Sequence, residues 1–402
     1  MIKNGEKNDR YYFFTVVLVC FFFSAFVSPT QAHHNDSVAS WEWSGQGECG
    51  VPVTFILTGG GYGEVSGKAN NRVALYDTNE KSLLTILTPK GETAGIRSIK
   101  VNGSLKAISA KTTALTGDIT ITGSLGRLAL NSAEDSTISI GTGSTKAAVT
   151  IAFDLAYNLK IDSDTPIRSI TATELVNGSI SAPSVGSITI KGDEKRYIWG
   201  DLDIDVTVPG VTGTVKVANA LSGDWDCNTV KSITALEADD FYLTLSRKPD
   251  HRILALGKLT IKESFNYSQI ISSGNIGAVT AGEFWYSNCF AGVDYSSLKD
   301  LNVDYVFDLP VANAANFSET ATIKSIAIKG VKDDDPPNFV NSNLAAANIL
   351  SVSIAYPQAK NSGIPFGVTA GYIKSLNIKT DNGPVSLKNL DDLFGDIQIR
   401  LY

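Results

Sequence analysis

Three aspartates that alternate with apolar residues form the clearest chemical pattern in this sequence, Asp201-Leu-Asp-Ile-Asp205. Side chains of a β-strand point alternately to its two faces, so Asp201, Asp203 and Asp205 would share one face. Because Ca²⁺ prefers carboxylate and carbonyl oxygens, a calcium site is one interpretation of this row. The other interpretation is a solvated acidic face beside Lys195 and Arg196. Calcium is the one cofactor that the sequence suggests, and no other is predicted.

A second acidic run, residues 333–335, consists of three consecutive aspartates, and such runs are usually solvated. Neither run has the spacing of an EF-hand calcium loop. Carbohydrate-active β-helix enzymes also need carboxylates, either as acid and base or with calcium and a basic residue. The segment from Lys195 to Asp205 is the place where such groups occur together. His251 is the only histidine after residue 34, so we assign no catalytic residue.

Several aromatic residues could bind carbohydrate, because the apolar face of an aromatic ring can stack on a sugar ring. The predicted carbohydrate-binding residues are Tyr197, Trp199, Trp285 and Tyr286. Packing in the core at the corners of the fold is the alternative, and it applies equally to Trp225 and Phe284.

A short phrase, apolar–any–often Ser–apolar–any–apolar, occurs eleven times after residue 93. Ile167-Arg-Ser-Ile170-Thr-Ala172 is one copy. Successive copies start 18 to 45 residues apart, most of them 20 to 29 apart. A repeat of this length built on strands predicts a parallel β-solenoid. The copies start at Ile96, Leu125, Ile167, Val185, Val230, Leu256, Ile276, Leu298, Ile323, Ile349 and Ile373.

Side-chain alternation assigns a place to each position of the phrase. The fourth and sixth residues would point into the core and the fifth, often Thr, to solvent. The serine at the third position, present in seven copies, would form a hydrogen-bonded ladder along the axis. The expected fold is all-β, a right-handed single-stranded β-helix of about 13 turns with an N-terminal β cap. Degenerate turns would lie at residues 156–161 and 215–217, and bulging insertions at residues 193–205, 332–343 and 356–366.

Residues 1–32 have the organisation of a signal peptide, with Lys3, Lys7 and Arg10 before an apolar run from Tyr11 to Val27. A membrane anchor is the alternative, but the run is short for a span of about 20 residues. We predict an exported protein, extracellular or at the cell surface, with no transmembrane span in the mature chain. Residues 33–92 lack the clean phrase and would form the cap and first turns, and residues 93–402 the repeats.

Three cysteines follow the signal peptide, so at most one disulfide can form within the chain. They are Cys49, Cys227 and Cys289, and the sequence leaves their pairing open.

The charge of the chain constrains its partners. The formal net charge is −7, and removal of residues 1–32, which carry +1, makes it −8. Nucleic acids and anionic lipid surfaces bind to basic patches, so we predict no nucleic-acid partner. Polysaccharide or other cell-envelope components are the expected partners, together with self-association.

Three stretches resemble a group of secreted, repeat-rich proteins of environmental bacteria. They are IRSIKVNGSLKAISAKTTALTGDITITGSLGRLAL (96–130), IISSGNIGAVTAGEF (270–284) and GIPFGVTAGYIKSLNIK (363–379). Most members of this group are functionally uncharacterised and are regarded as parallel β-helix proteins of the cell surface or matrix. The resemblance covers most of the chain after about residue 50. It implies the fold and the location, and it transfers no catalytic residue.

The sequence repeats a structural unit and offers no single set of catalytic residues. This favours a non-catalytic structural or adhesive role at the cell surface or in the extracellular matrix. Two alternatives stay open. The first is a carbohydrate-active enzyme of the lyase or hydrolase type that uses the region of Asp201 to Asp205. The second is a carbohydrate-binding module that uses the aromatic residues of the insertions.

Overall fold

The computed structural model describes residues 40–47, 50–67, 69, 71–143, 148–250, 252–294, 308–317, 320–332, 336–390, 393 and 395–402. Five of the sequence predictions fall outside these residues. They concern the signal peptide, Cys49, His251, the acidic run 333–335 and the repeat at Leu298.

The first five strands are β1 Ser40–Gln46, β2 Pro52–Thr58, β3 Tyr62–Ser66, β4 Arg72–Thr78 and β5 Leu83–Leu87. β2 lies between β1 and β5 and is antiparallel to both, and β3 is antiparallel to β4. Strict alternation in β2 buries Val53, Phe55 and Leu57 on one side. β4 and β5 then pair in parallel with the strands that follow them. Antiparallel strands thus occupy the segment predicted as the cap, while the boundary at residue 92 stays a prediction.

From residue 94 the strands stack in parallel into a β-solenoid of about 12 turns, which confirms the predicted fold class. The short strand Gly383–Val385 is the exception among the described strands, because it is antiparallel to the strand before it. Right-handedness stays a prediction. The next eleven strands are β6 Ala94–Gly103, β7 Ala107–Ile121, β8 Arg127–Ile140, β9 Val149–Ala152, β10 Leu155–Ser163, β11 Ile167–Ala172, β12 Glu174–Ser181, β13 Val185–Ile190, β14 Leu202–Val217, β15 Ala220–Ala235 and β16 Glu237–Leu245. The remaining described strands are β17 Leu256–Ile261, β18 Ser264–Asn266, β19 Gln269–Ser272, β20 Ile276–Ala281, β21 Glu283–Trp285, β22 Asn288–Ala291, β23 Thr322–Ile328, β24 Phe339–Val340, β25 Asn343–Ile349, β26 Val352–Ala355, β27 Phe366–Ile373, β28 Leu376–Thr380, β29 Gly383–Val385 and β30 Ile397–Leu401. Two short 3₁₀ helices, Glu194–Arg196 and Ala314–Asn316, lie in loops.

Three columns of inward-pointing residues run along the axis, and we name the three faces of the solenoid after them. The face A column is Ile96, Leu115, Ala133, Ala156, Leu175, Leu202, Leu221, Ala238, Phe265, Phe284 and Phe339. The face B column is Val73, Ile99, Ile119, Ile138, Ile161, Ile180, Val206, Trp225, Leu243, Ile270, Cys289, Leu344, Val368 and Ile399. The face C column is Leu84, Ile108, Leu128, Ile151, Ile170, Ile188, Val215, Ile233, Leu259, Val279, Ile326, Val352 and Leu376. Together the columns form one continuous apolar core.

The repeated phrase belongs to face C. In β11 and β13 its fourth and sixth residues are buried as predicted, and its first residue is buried within the same strand. The copy at Ile96 has the spacing of the phrase but does not lie on face C, because Ile96 lies in the face A column and Ile99 in the face B column. The face C strand of that turn is instead the Ile108 segment of β7, which the sequence prediction missed.

Turn lengths along face C are nearly uniform except at one place. Most turns take 18 to 27 residues. Ile276, however, pairs directly with Ile323, so that turn takes 47 residues. The phrase at Leu298 lies outside the described residues and stays a prediction. Residues 215–217 form the degenerate turn as predicted. Residues 156–161 do not, because they belong to faces A and B, and β9 supplies face C there.

The predicted serine ladder on face C is wrong. Ser232 Oγ lies 3.3 Å from Thr214 Oγ1 in the preceding turn. In the next turns, however, the position is taken by Lys258 and Ala278, which interrupts any ladder.

A serine ladder does exist at the corner between faces A and B, where seven residues other than glycine have positive φ. These residues are Asp135, Asn158, Asn177, Asp240, Tyr267, Tyr286 and Asn341. Buried serines follow four of them, at Ser136, Ser268, Ser287 and Ser342. The Oγ of Ser287 accepts the Ser268 N–H at 3.0 Å, and Ser342 Oγ accepts the Ser287 N–H at 3.0 Å. The hydroxyls therefore satisfy backbone groups that the sharp corner leaves unpaired within the sheets.

Part of the 47-residue turn folds over the outer side of face B. Phe317 packs with Phe290 of β22 and Ala345 of β25. The hydroxyl of Thr369 in β27 donates to the carbonyl of Pro310 at 2.7 Å, and the Arg400 guanidinium donates to the Leu309 carbonyl at 2.7 Å. We call residues 308–317 the cover segment, and it makes the last turns of face B a sheet buried on both sides.

Both described cysteines are unpaired thiols inside the core. Cys227 and Cys289 are each buried and free. Burial raises the pKa of Cys227 to about 11 and that of Cys289 to about 12. These thiols are therefore protonated, and they contribute to the packing of the core.

Candidate functional site

The three predicted aspartates lie at or just before the start of β14, and all three point outward, as the alternation predicted. Asp201 and Asp203 flank Leu202 on face A, whereas Asp205 lies past the corner, beside Val206 on face B. Each carboxylate accepts a hydrogen bond from the following turn, so the row links two turns. The contacts are Asn219 Nδ2 to Asp201 Oδ1 at 2.7 Å, the Ala220 N–H to the same oxygen at 3.1 Å, Ser222 Oγ to Asp203 Oδ1 at 2.9 Å and the Asp224 N–H to Asp205 Oδ1 at 3.0 Å.

The row does not converge on a point where a cation would sit. Alternate residues of a strand are about 6–7 Å apart, and each of these carboxylates faces its own donor. No group of three or more His, Cys, Asp or Glu that could hold a metal ion occurs among the residues that the structure describes. Calcium binding by Asp201, Asp203 and Asp205 stays a prediction to which this geometry adds no support.

A second acidic column lies at the corner between faces C and A. Glu174 occupies the turn before Asp201, and its Oε2 accepts the Gly200 N–H at 3.3 Å. Burial, and then the Asp201 carboxylate, raise the pKa of Glu174. Burial likewise raises the pKa of Glu237 beyond it, with further contributions from Glu263 and other neighbouring carboxylates. Negative charge therefore accumulates along this corner.

Arg196 pairs with residues other than the three aspartates beside which it was predicted. Its guanidinium makes a bidentate contact with Asp154, with both N–O distances 2.6 Å, and its Nε donates to Asp193 at 2.7 Å. The hydrogen bonds from Arg196 lower the pKa of Asp154, to which Thr173 also donates. A planar bidentate pair fixes orientation as well as charge, so Arg196 anchors its loop to the solenoid.

The loop that Arg196 anchors presents two of the predicted aromatic residues to solvent. Asp193 and Ile198 pair across its base, and the 3₁₀ turn lies between them. Tyr197 is 81% exposed and Trp199 is 67% exposed. Tyr197 has φ 58° and Gly200 has φ 86°, which lets the chain reverse sharply on either side of Trp199. We call residues 193–199 the aromatic hairpin.

Trp285 and Tyr286 do not join this hairpin. Trp285 lies on the outer side of face A, four turns from Asp203 in the same column, or about 20 Å along the axis. Tyr286 stacks on Tyr267 of the preceding turn, with ring centroids 5.1 Å apart and planes at 7°. Both side chains are only partly exposed. The structure therefore divides the predicted carbohydrate-binding set into two separate places.

Trp225 and Phe284 belong to the core, which is the alternative that the sequence left open for them. Both are fully buried. Trp225 packs edge-on against Phe241, and its indole N–H donates to the Ile204 carbonyl at 3.0 Å.

A further concave site, which sequence reasoning missed, lies near the C-terminal end. It is a cleft of about 230 Å³. Its lining residues are Pro336, Pro337, Tyr356, Pro357, Gln358, Ala359, Thr380, Asp381, Leu393 and Ile397. The predicted insertion at residues 356–366 starts at this cleft, so the signal was the break in the repeat rather than any motif.

No family model, curated protein or solved structure matches this chain. Among the residues that the structure describes, no helix has the length and apolar character needed to cross a membrane.

Proposed function

We propose that this protein is an exported structural or adhesive component of the cell surface or extracellular matrix. The observation that carries the proposal is the unbroken core of three columns over about 12 turns. At a rise of about 4.8 Å per turn this core supports a rod about 60 Å long. Each turn packs on its neighbours, and a rod of this kind holds binding surfaces at a fixed distance from an anchor.

The outer side of face C supports an adhesive role because its outward side chains, apart from Lys216, are short and regularly spaced. The outward column is Thr85, Ser109, Ala129, Ala152, Thr171, Thr189, Lys216, Thr234, Thr260, Thr280, Ala327, Ser353 and Asn377. Short side chains on a regular sheet lose little conformational entropy on contact. Such a surface suits many weak, equivalent contacts with an extended polymer or with another copy of the protein.

Fractionation of the native cells tests this proposal. An antibody against the protein is used to follow it through medium, washed envelope and matrix, beside one marker for the envelope and one for freely secreted protein. We expect most of the protein with the envelope or matrix. Recovery of most of it in the medium would overturn the proposal. A parallel wash with a calcium chelator tests whether retention depends on calcium.

Carbohydrate binding by the aromatic hairpin is a second candidate function, favoured by the exposure of Tyr197 and Trp199. When a ligand covers exposed rings of this size, apolar surface is removed from water, which favours binding. The acidic corner beside the hairpin supplies acceptors for sugar hydroxyls, chiefly Asp201 and Glu174. Polar acceptors beside an aromatic platform are the usual composition of a sugar site.

Alanine substitution tests the hairpin. Polysaccharide pull-down with the Tyr197→Ala/Trp199→Ala double variant should lose retention that the parent chain shows. The matched control is Tyr157→Ala, which removes another exposed ring, 51% accessible, from a strand surface. Equal retention by all three proteins would reject the hairpin as the binding site.

The enzyme alternative has its own test. Polysaccharides are incubated with the parent protein and with the Asp203→Asn/Asp205→Asn double variant, and reducing ends are measured. Turnover that disappears in a folded double variant would overturn the non-catalytic proposal.

A further inference from the structure

Charge is distributed unevenly around the solenoid, although the chain as a whole is acidic. Eight exposed Lys and Arg residues occupy the second, third or fifth position of the face C segments. From the first to the sixth position, none of the described face C segments contains an Asp or Glu. We call these eight residues the basic stripe. They are Lys106, Arg127, Arg168, Lys216, Lys231, Lys258, Lys324 and Lys374.

We infer that the basic stripe binds an acidic polysaccharide that lies along the solenoid axis. The inference deepens the adhesive role proposed for face C and rests on it. The outer side of face A has the opposite character, because Glu134, Asp203 and Asp239 are outward residues beside its core column. A polyanion is therefore repelled by face A and attracted to face C, which orients it on the rod.

The cations follow one another closely along the axis. Consecutive members of the basic stripe are one or two turns apart, which is about 5–10 Å. From Lys106 to Lys374 the stripe spans about 50 Å. One exposed ion pair contributes little free energy, but a polymer that contacts several cations at once gains avidity. An extended polymer with repeated carboxylate or sulfate groups is the matching partner.

The cations of the basic stripe are not neutralised within the protein. None of them forms an ion pair with a residue that the structure describes, whereas Arg196 has two such partners. Hydroxyl groups accompany the cations, such as Ser169 beside Arg168 and Ser232 beside Lys231. Ammonium, guanidinium and hydroxyl groups all donate hydrogen bonds to carboxylate or sulfate oxygens. Face C therefore offers charge and donors together to an acidic polymer.

The other outward residues of face C distinguish a polysaccharide from other anionic partners. Between Lys106 and Lys374, the second, third and fifth positions hold no aromatic side chain in the described segments, so unpaired nucleic-acid bases have no ring on which to stack. Leu350 is the only large apolar residue at these described positions, whereas a membrane-binding surface needs an apolar face that enters the lipid. Most of the remaining residues are Ser, Thr, Ala or Gly. Such a surface forms hydrogen bonds without stacking or insertion, which suits a hydroxylated polymer.

Calorimetric titration of the full chain with polygalacturonate and with dextran sulfate tests the inference, and uncharged dextran is the matched polymer. We expect saturable binding of at least one acidic polymer. This binding should weaken steeply as the salt concentration rises, because salt screens exposed charges. Dextran should show no salt-sensitive binding.

Removal of charge from face C locates the binding surface. Lys216→Ala/Lys231→Ala/Lys258→Ala clears three successive turns and should lower the affinity about tenfold or more. Thr280→Lys adds a cation in the turn that follows Lys258 and should strengthen binding. The three lysines are exposed, so the midpoint of denaturant unfolding should stay at the parental value in the triple variant.

A second triple variant separates the basic stripe from the net charge of the chain. Lys100→Ala/Lys160→Ala/Lys360→Ala removes the same charge from exposed positions outside face C. It should keep the parental affinity for the acidic polymers. An equal loss of affinity in the two triple variants overturns the inference, and so does absence of binding by both acidic polymers.

Two further outcomes identify the partner and separate this inference from the adhesive role. Duplex DNA is titrated at the same salt concentration, and equal or tighter binding of DNA would overturn the assignment to a polysaccharide. Recovery of the protein in the medium during cell fractionation would reject the adhesive role, whatever the purified chain binds. Envelope retention without binding of either acidic polymer would reject this inference alone.

Discussion

One outward column of face B passes through two different environments. In the early turns it consists of polar residues, and in the late turns Phe290, Ala345 and Thr369 are buried beside the cover segment. The column is Lys100, Thr120, Ser139, Asp162, Ser181, Thr207, Asp226, Thr244, Ile271, Phe290, Ala345, Thr369 and Arg400. The same backbone ladder therefore serves as an outer surface in one half of the rod and as an interior layer in the other.

The interior changes along the axis as well. Face A begins with aliphatic residues such as Ile96 and Leu175 and ends with Phe265, Phe284 and Phe339. The rings of Phe265 and Phe284 stack with centroids 4.6 Å apart. The comparison shows that the register between turns stays constant along a solenoid. The size of the core side chains and the covering of the outer surface can differ from turn to turn.

The largest expected effect is at the aromatic end of face A. Phe284→Ala should lower the free energy of unfolding by about 3–5 kcal/mol, because it removes a fully buried ring and leaves a cavity beside the stacked ring of Phe265. Leu175→Ala in the aliphatic end is the matched variant and should cost about 2–5 kcal/mol, with the smaller side chain expected to cost less. Denaturant unfolding followed by tryptophan fluorescence gives both values. A smaller loss for Phe284→Ala than for Leu175→Ala would contradict the comparison.

The serine ladder of the late turns gives the next largest effect. Ser287→Ala deprives the Ser268 N–H of its acceptor and should cost about 1–3 kcal/mol, since that group stays buried. Ser232→Ala on the outer side of face C is the control, expected within about 0.5 kcal/mol of the parent. Both are measured by the same unfolding experiment. Equal values for the two variants would show that the corner ladder contributes nothing specific.

The cover segment can be loosened without touching the core. Thr369→Val keeps the shape of the side chain but removes the hydrogen bond to Pro310, at a cost of about 1 kcal/mol. Hydrogen exchange within residues 308–317 should become faster. Thr207→Val, in the exposed part of the same column, should leave that exchange unchanged. Faster exchange in both variants would argue against the covered-versus-exposed distinction.

The smallest effect is a contrast in pH dependence between two corner carboxylates. Arg196 lowers the pKa of Asp154, so the Asp154 contribution to stability is present above about pH 3.9, the ordinary Asp value, and is lost as pH falls through the lowered folded value. Asp154→Asn should therefore destabilise the protein at neutral pH, and this difference should shrink in acid.

The pKa of Glu174 is shifted in the opposite direction to that of Asp154. Burial raises its pKa, so its contribution is favourable below the ordinary Glu value of about 4.3 and is lost as pH rises through the raised folded value. Glu174→Gln should thus stabilise the protein slightly at neutral pH and have little effect in acid. Unfolding midpoints across the acid range check both variants. Shifts of the same sign would refute the assignment of opposite environments.

Much of this fold could be predicted because alternation within the phrase controls which residues enter the core. Ile170 and Ile188 lie in the face C column as the repeat required. The copy at Ile96 was placed on the wrong face, because a three-residue apolar spacing also occurs at the corner of faces A and B. The structure has about 12 turns, close to the predicted 13.

The cover segment could not be derived from periodicity, since it joins the sheet through side chains and carbonyls rather than through strand pairing. A signal was nevertheless present in the runs Cys289-Phe-Ala291 and Leu344-Ala-Ala346, which are apolar at outward positions too. Continuous apolar strands indicate burial on both faces. The ion pairs of Arg196 were missed for a similar reason, since Asp154 is 42 residues away in sequence.

The axial direction of the hydrogen bonds determines how this molecule would yield to mechanical force. Because each strand pairs with strands in the turns before and after it, tension along the axis loads the bonds of one terminal turn at a time. An ordinary turn of 18 to 27 residues would release roughly 60–90 Å of extended chain when it detaches. The 47-residue turn would release roughly 160 Å of extended chain, but only after the contacts between the cover segment and face B break. The rod would thus lengthen in steps, with a reinforced section near its C-terminal end.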